Sequence, residues 1–185
     1  VTASELAAGM QRAGLLEAPV PPAAERWIAT FLEAYGERCP TLEAALAEVA
    51  QLRAESTTIP ALELERLRTR QAIFFLDAVS QYVDAQPELR GLPLENDLPA
   101  IAAEFGIAPA DALAAVRMAL TGRADGIALD ALFPLLGHDR ILIRIGAVSS
   151  RLLHGRGLEP IAYGPGGEPF RTIAAEKPPD LRAGS

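Results

Sequence analysis

The sequence is poor in the residues that small disulfide-rich or metal-bound proteins depend on. It holds one cysteine, Cys39, in 185 residues. A lone cysteine forms no internal disulfide, which fits a reducing cytosol. The two histidines, His138 and His154, lie far from Cys39 and from each other. No CxxC or HExxH arrangement exists, so no metal site is expected. Aromatics make up 5 % of the chain, which disfavours the aromatic-rich strands of a β-sandwich. No apolar run reaches the ~18 residues of a membrane span, and no charged start leads into an apolar stretch, so no signal peptide is expected. Lysine is nearly missing too, with Lys177 the only one. The expected protein is cytoplasmic, monomeric and not membrane-bound.

Motifs for nucleotide and acid–base chemistry are equally scarce. There is no GxxxxGK[ST], and no GxGxxG after a strand. "GPGG" (164–167) has no helix or basic residue close behind it to cradle a phosphate. Glu63 and Glu65 point to different helix faces, and Asp125 and Asp130 frame an exposed loop. Cys39 has no histidine near it to act as a base, and reads better as a small packing residue. No catalytic residue, cofactor or metal ligand is expected from this chain.

What is present is half apolar and 22 % charged, a globular composition. Abundant Ala and Leu favour helices. Net charge is −7, a field that opposes non-specific nucleic-acid binding. The charge is uneven, however. Residues 116–156 carry six arginines against three aspartates, whereas residues 1–60 carry eight glutamates against four arginines.

The chain divides into helical stretches at Pro, Gly and Thr punctuation. Ser4 is expected to cap a helix ending at Gly14. A second runs from about 23 to 37, with Trp27, Phe31 and Tyr35 on one face as core. Thr41 caps a third. One long helix is expected from Pro60 to about 85. Residues 86–97 read as a loop, with Asp97 capping a short helix that ends at Gly106. Pro109 opens a helix stopping at Thr121-Gly122. Another runs from about 128 to Gly137, and Asp139 caps the last, to about His154. This makes seven or eight helices and an all-α fold of two small helical subdomains, 1–88 and 89–154. Residues 155–185 are rich in Gly and Pro and read as a tail, with a small hairpin around "GPGGE" as the alternative.

One stretch carries more than punctuation. "AAVRMALTGRADGIALDALFPLLGHDRILIRIGAV" (114–148) resembles the C-terminal end of bacterial glutamyl-tRNA synthetase. The pattern there is x-[LV]-R-x-A-[LV]-T-G, a short loop, an apolar helix, L-G-x-x-R, and R-[IL]. It is met by Val116, Arg117, Ala119, Leu120, Thr121 and Gly122, then by Leu136, Gly137, Arg140, Arg144 and Ile145. "YGERCPTLEAA" (35–45) is similar to a second family segment through Arg38, Thr41 and Leu42. "ELAAGMQRAGL" (5–15) looks like the first helix of the same region. The resemblance covers roughly residues 5–150 and is weakest in the middle.

The resemblance implies an all-α anticodon-binding cage of two helical subdomains. It implies tRNA-Glu as partner, with tRNA-Gln as a second candidate. It also implies a catalytic class I domain elsewhere in the parent protein, because neither the HIGH nor the KMSKS-like signature occurs here. Arg38, Arg117, Gly126, Ile127 and Leu129 fall where the family contacts the anticodon. Arginine suits this task, since its planar fork matches a base edge or a phosphate. Gly126 allows close backbone approach, and Ile127 and Leu129 offer apolar surface to a base. The family often has Pro at the Ile127 position and a hydroxyl residue before it; Gly126-Ile127 has neither.

Other readings of the same residues stay open. Arg117 also reads as an ordinary surface arginine, and Arg38 as an ion-pair partner of Glu33 or Glu37. Arg140 and Arg144 read as helix-surface or packing charges. A free-standing paralogue that serves as a protein-interaction or regulatory module is the alternative function.

Overall fold

A computed structural model describes residues 1–154, which form nine helices and no strand. The helices are α1 (Ala3–Arg12), α2 (Pro22–Tyr35), α3 (Leu42–Arg53), α4 (Ala61–Arg66), α5 (Arg70–Asp84), α6 (Leu94–Ala103), α7 (Pro109–Thr121), α8 (Leu129–Leu136) and α9 (His138–His154). The all-α expectation is met. The tail and hairpin readings of 155–185 lie outside the described residues.

Several boundaries differ from the sequence reading, each for a local reason. Thr2, not Ser4, caps α1: its hydroxyl accepts from the Glu5 N–H at 3.2 Å, and Glu5 returns the bond to the Thr2 N–H at 2.8 Å. The long helix expected over 60–85 is two helices. Thr69 takes an extended conformation and its hydroxyl accepts from the Ala72 N–H at 3.1 Å, which starts α5 afresh. Asp97 lies inside the first turn of α6 rather than at its cap, and its carboxylate accepts from the Tyr82 hydroxyl at 2.6 Å. Asp139 likewise lies inside α9, which begins directly after Gly137.

One buried cluster runs from Leu6 in α1 to Leu152 in α9. Phe31, Phe75 and Phe133 are its largest fully covered side chains. The aromatic face of α2 packs as expected. Trp27 and Phe31 stack at 5.5 Å, and Phe31 and Tyr35 at 4.9 Å. The Trp27 ring N–H donates to the Leu135 carbonyl at 2.9 Å, pinning α2 to α8. At the start of α9, His138 Nε2 lies 2.7 Å from the Gln86 carbonyl, just beyond the C-terminus of α5. Since α5 and α9 pack along each other, they run antiparallel. Among the described residues no helix is long and apolar enough to cross a membrane.

The last arginine of the 114–148 pattern holds the fold together. Arg144 is 3 % exposed, the only buried charged residue among those described. It has no carboxylate partner in its hydrogen-bond set. Its guanidinium donates to the carbonyls of Leu120 (2.6 Å), Gln51 (2.6 Å), Leu52 (3.2 Å) and Ala54 (2.7 Å). These belong to the C-terminal ends of α7 and α3, where carbonyls lack helical partners and the dipole is negative. One cation therefore ties three helices. Arg140 does the same nearby, donating to the carbonyls of Arg53 (3.0 Å) and Leu136 (3.2 Å). Of the two readings open for these arginines, packing fits the geometry.

Candidate nucleic-acid interface

The stop at Thr121-Gly122 is built from ordinary capping. Gly122 adopts φ +73° and its N–H donates to the Met118 carbonyl at 2.8 Å. A second constraint is steric: a Cβ here would sit 2.3 Å from the Thr58 carbonyl oxygen. The segment before α4 crosses at this point, and the Thr57 hydroxyl donates to the Leu120 carbonyl at 3.1 Å. The Thr121 hydroxyl donates to the Arg117 carbonyl at 2.8 Å and accepts from the Arg123 N–H at 3.2 Å. The loop 123–128 thus leaves α7 in a fixed direction.

Two arginines from distant parts of the chain then hold that loop. Arg117 Nε donates to the Ile127 carbonyl at 3.3 Å, and Arg117 Nη1 to the Ala124 carbonyl at 3.2 Å. Arg38, from the turn after α2, donates to the Gly126 carbonyl at 3.3 Å. Arg38 therefore reaches across to the loop, rather than to Glu33 or Glu37. Gly126 is exposed and backs onto the Arg117 side chain, whose Cδ would lie 3.5 Å from an added Cβ. The five residues singled out in the sequence thus converge on one loop and the start of α8.

Ile127 and Leu129 occupy that loop differently from the expectation. The two residues are 7 % and 2 % exposed. They are turned into the apolar core, and with the backbone counted they leave a base almost no surface of their own. The N-cap of α8 is Ala128, which offers no side-chain bond, and the Ala131 N–H of the first turn donates to the Asp130 carboxylate at 2.9 Å and to the Ala128 carbonyl at 3.2 Å.

Three hollows lie in a row along this loop. The middle one, about 270 Å3, is walled by Arg38, Arg117, Gly126 and Ile127, with Tyr35 and Glu48 also lining it. It shares Arg38, Gly126 and Ile127 with a hollow of about 690 Å3 toward Arg90 and Asp130. On its other side it shares Glu48, Thr121 and Arg123 with one of about 460 Å3 toward Thr57 and Arg144. The partition there is an ion pair, with Arg123 Nη2 2.7 Å from Glu48 Oε1.

Sequence reasoning missed Tyr35, Glu48 and Arg123 as site residues. Arg123 lay in the quoted motif and carried a usable signal. Tyr35 was assigned wholly to the core. Glu48 is one of many helix glutamates, and no pattern links it to a loop 75 residues away. Burial pushes the Tyr35 phenol above its ordinary range, and the nearby Glu48 carboxylate adds to this. Tyr35 thus stays a proton donor. Burial, reinforced by Glu48 and opposed by Arg123 and Arg38, also raises the Cys39 thiol, so it is no activated nucleophile. No group of three or more metal-ligating side chains occurs among the described residues.

Arg38 and Arg117 thus brace this loop beside the three hollows. The family model of the anticodon binding domain matches residues 5–148. The chain belongs to the anticodon-binding domain family. That match spans every helix of the described structure except the first residues of α1 and the last turns of α9. A comparison with curated proteins finds no match for this anticodon-binding domain.

Proposed function

We propose that this anticodon-binding domain is the anticodon-reading module of a glutamate–tRNA ligase. Its partner is tRNA-Glu, with tRNA-Gln as the near alternative. Ligation belongs to a class I catalytic domain of the parent protein, and the module works as a cytoplasmic monomer without a cofactor. The observation that carries this reading is the Arg38–Gly126 hydrogen bond. It joins the two segments that resemble glutamyl-tRNA synthetase, 35–45 and 114–148, at one loop. Arg38 and Arg117 supply the positive face and Gly126 the exposed rim, with Ile127 and Leu129 packed beneath as its support. The exposed donors left on both guanidiniums suit phosphate and base edges.

The test is titration of the chain with tRNA-Glu and with the same tRNA carrying an altered anticodon. Salt is held low and stated, because phosphate contacts weaken steeply with it. Tighter binding of tRNA-Glu is expected. Equal and negligible binding of both RNAs would reject the reading and favour the protein-interaction module.

A further inference from the structure

A fourth opening lies apart from the arginine-braced loop. This groove of about 750 Å3 runs between the α4–α5 junction and α7, and it shares no lining residue with the three hollows beside the loop. Leu67, Ala72, Phe105, Ile107, Ala115 and Met118 give it an apolar floor. Phe105 and Ile107, on the turn between α6 and α7, stay partly open to solvent. Its rim is charged with opposite signs on opposite walls. Arg66 is exposed on the α4 side, where it also holds Glu63 at 3.0 Å. Asp111 is exposed on the α7 side and has no ion-pair partner among the described residues. An apolar patch with a polar rim marks a place where another surface packs.

The course of α9 indicates which surface. It starts beside Gln86, past the end of α5, and runs back along α5. It therefore ends next to the start of α5, where Thr69, Gln71 and Ala72 line the groove. From there the chain continues through residues 155–185. Packed helices lie about 8–10 Å apart, and an extended chain covers about 3.3 Å per residue. Phe170, sixteen positions past His154, has ample chain to reach the groove. It stands in "EPFRTI" (168–173), an aromatic residue between an acid, Glu168, and a base, Arg171. That order matches a groove with Arg66 on one wall and Asp111 on the other. A tethered segment also acts at an effective concentration on the order of millimolar, which favours it over a free peptide of the same chemistry.

We propose that the segment 168–173 of this same chain docks in the groove, with Phe170 against Phe105, Ile107 and Met118, Arg171 toward Asp111 and Glu168 toward Arg66. This holds whatever the 123–128 loop binds.

Methyl NMR of the full chain tests it, because the chain has two methionines. Met118 lines the groove, and Met10 is buried in α1 as an internal control of the fold. Cross-peaks between the Met118 methyl and the Phe170 ring are expected. Phe170→Ala is expected to remove them and to shift the Met118 methyl while leaving Met10 in place. Asp111→Arg is expected to weaken the same cross-peaks, and adding Arg171→Asp to restore them. Phe170→Ala touches no core residue of the nine helices, so that comparison stands even if Asp111→Arg disturbs α7. If no cross-peak joins Met118 to Phe170 and Met118 does not move in Phe170→Ala, the docking is overturned. Cross-peaks that fade on dilution would overturn it in favour of a second copy of the chain. Weakening without restoration would overturn the pairing of Arg171 with Asp111.

Discussion

Gly122→Ala should be far more damaging than the same change at Gly14, although both glycines have nearly the same backbone conformation. Their φ angles are +73° and +69°. Forcing an alanine into that left-handed region costs about 1–2 kcal/mol in either place. Around Gly14 an added Cβ meets nothing within 4 Å. At Gly122 it would lie 2.3 Å from the Thr58 carbonyl oxygen and 3.3 Å from the Thr57 methyl, and real Cβ contacts essentially never fall under 3.0 Å. The crossing segment must retreat. That weakens the Thr57–Leu120 hydrogen bond, about 0.5–1.5 kcal/mol net, and uncovers part of Ile59, which is 7 % exposed. Full burial of such a side chain contributes about 1.5–3 kcal/mol, so losing part of it adds roughly 1 kcal/mol. The difference between the two variants should then be about 2 kcal/mol, summing these contributions. Urea unfolding followed by far-ultraviolet circular dichroism measures both on one scale. Equal losses would refute the reasoning, because they would mean that the 56–59 segment does not press on the end of α7.

Other outcomes follow from the same contacts. Arg144→Met should destabilise the domain by about 3 kcal/mol, since it strips donors from four carbonyls at two helix ends; thermal unfolding reads this, and a change near zero would contradict the tie. Arg117→Lys should leave helix content unchanged yet weaken tRNA binding about tenfold, because one ammonium cannot span the Ala124 and Ile127 carbonyls as the fork does. Burial and its bond to Asp97 push the Tyr82 phenol up to about 12. Its folded value is raised, so its contribution is complete below the unfolded value near 10 and is lost as pH rises toward 12. Tyr82→Phe should flatten the stability loss across that window in alkaline unfolding.

The helices were legible because Pro, Gly and apolar spacing mark them without tertiary help. Pro22 and Pro109 open α2 and α7, and Gly122 closes α7. Where a boundary rested on one hydroxyl, as at Thr2 and Thr69, the pattern offered several equal candidates, and only the folded backbone decides between them. Arg38 and Arg117 were marked as site residues by the segments they stand in. What they touch was not legible, since Arg38 meets Gly126 across 88 residues. Ile127 and Leu129 show the limit most clearly. An apolar residue beside an exposed loop suits a ligand or a core equally well, and here the core takes both. Glu48 was hidden for the same reason: its partner Arg123 comes from another element.

If the 122–132 segment, held by Arg38 and Arg117, meets the anticodon as proposed, bound RNA should protect it. Amide hydrogen exchange of the full chain, with and without a tRNA-Glu anticodon hairpin, tests it most directly. Protection concentrated at 122–132 and around Arg38 is the predicted result. Protection confined to the separate hollow lined by Leu67, Ala72, Phe105, Ile107, Ala115 and Met118, or none anywhere at saturating RNA, would contradict it.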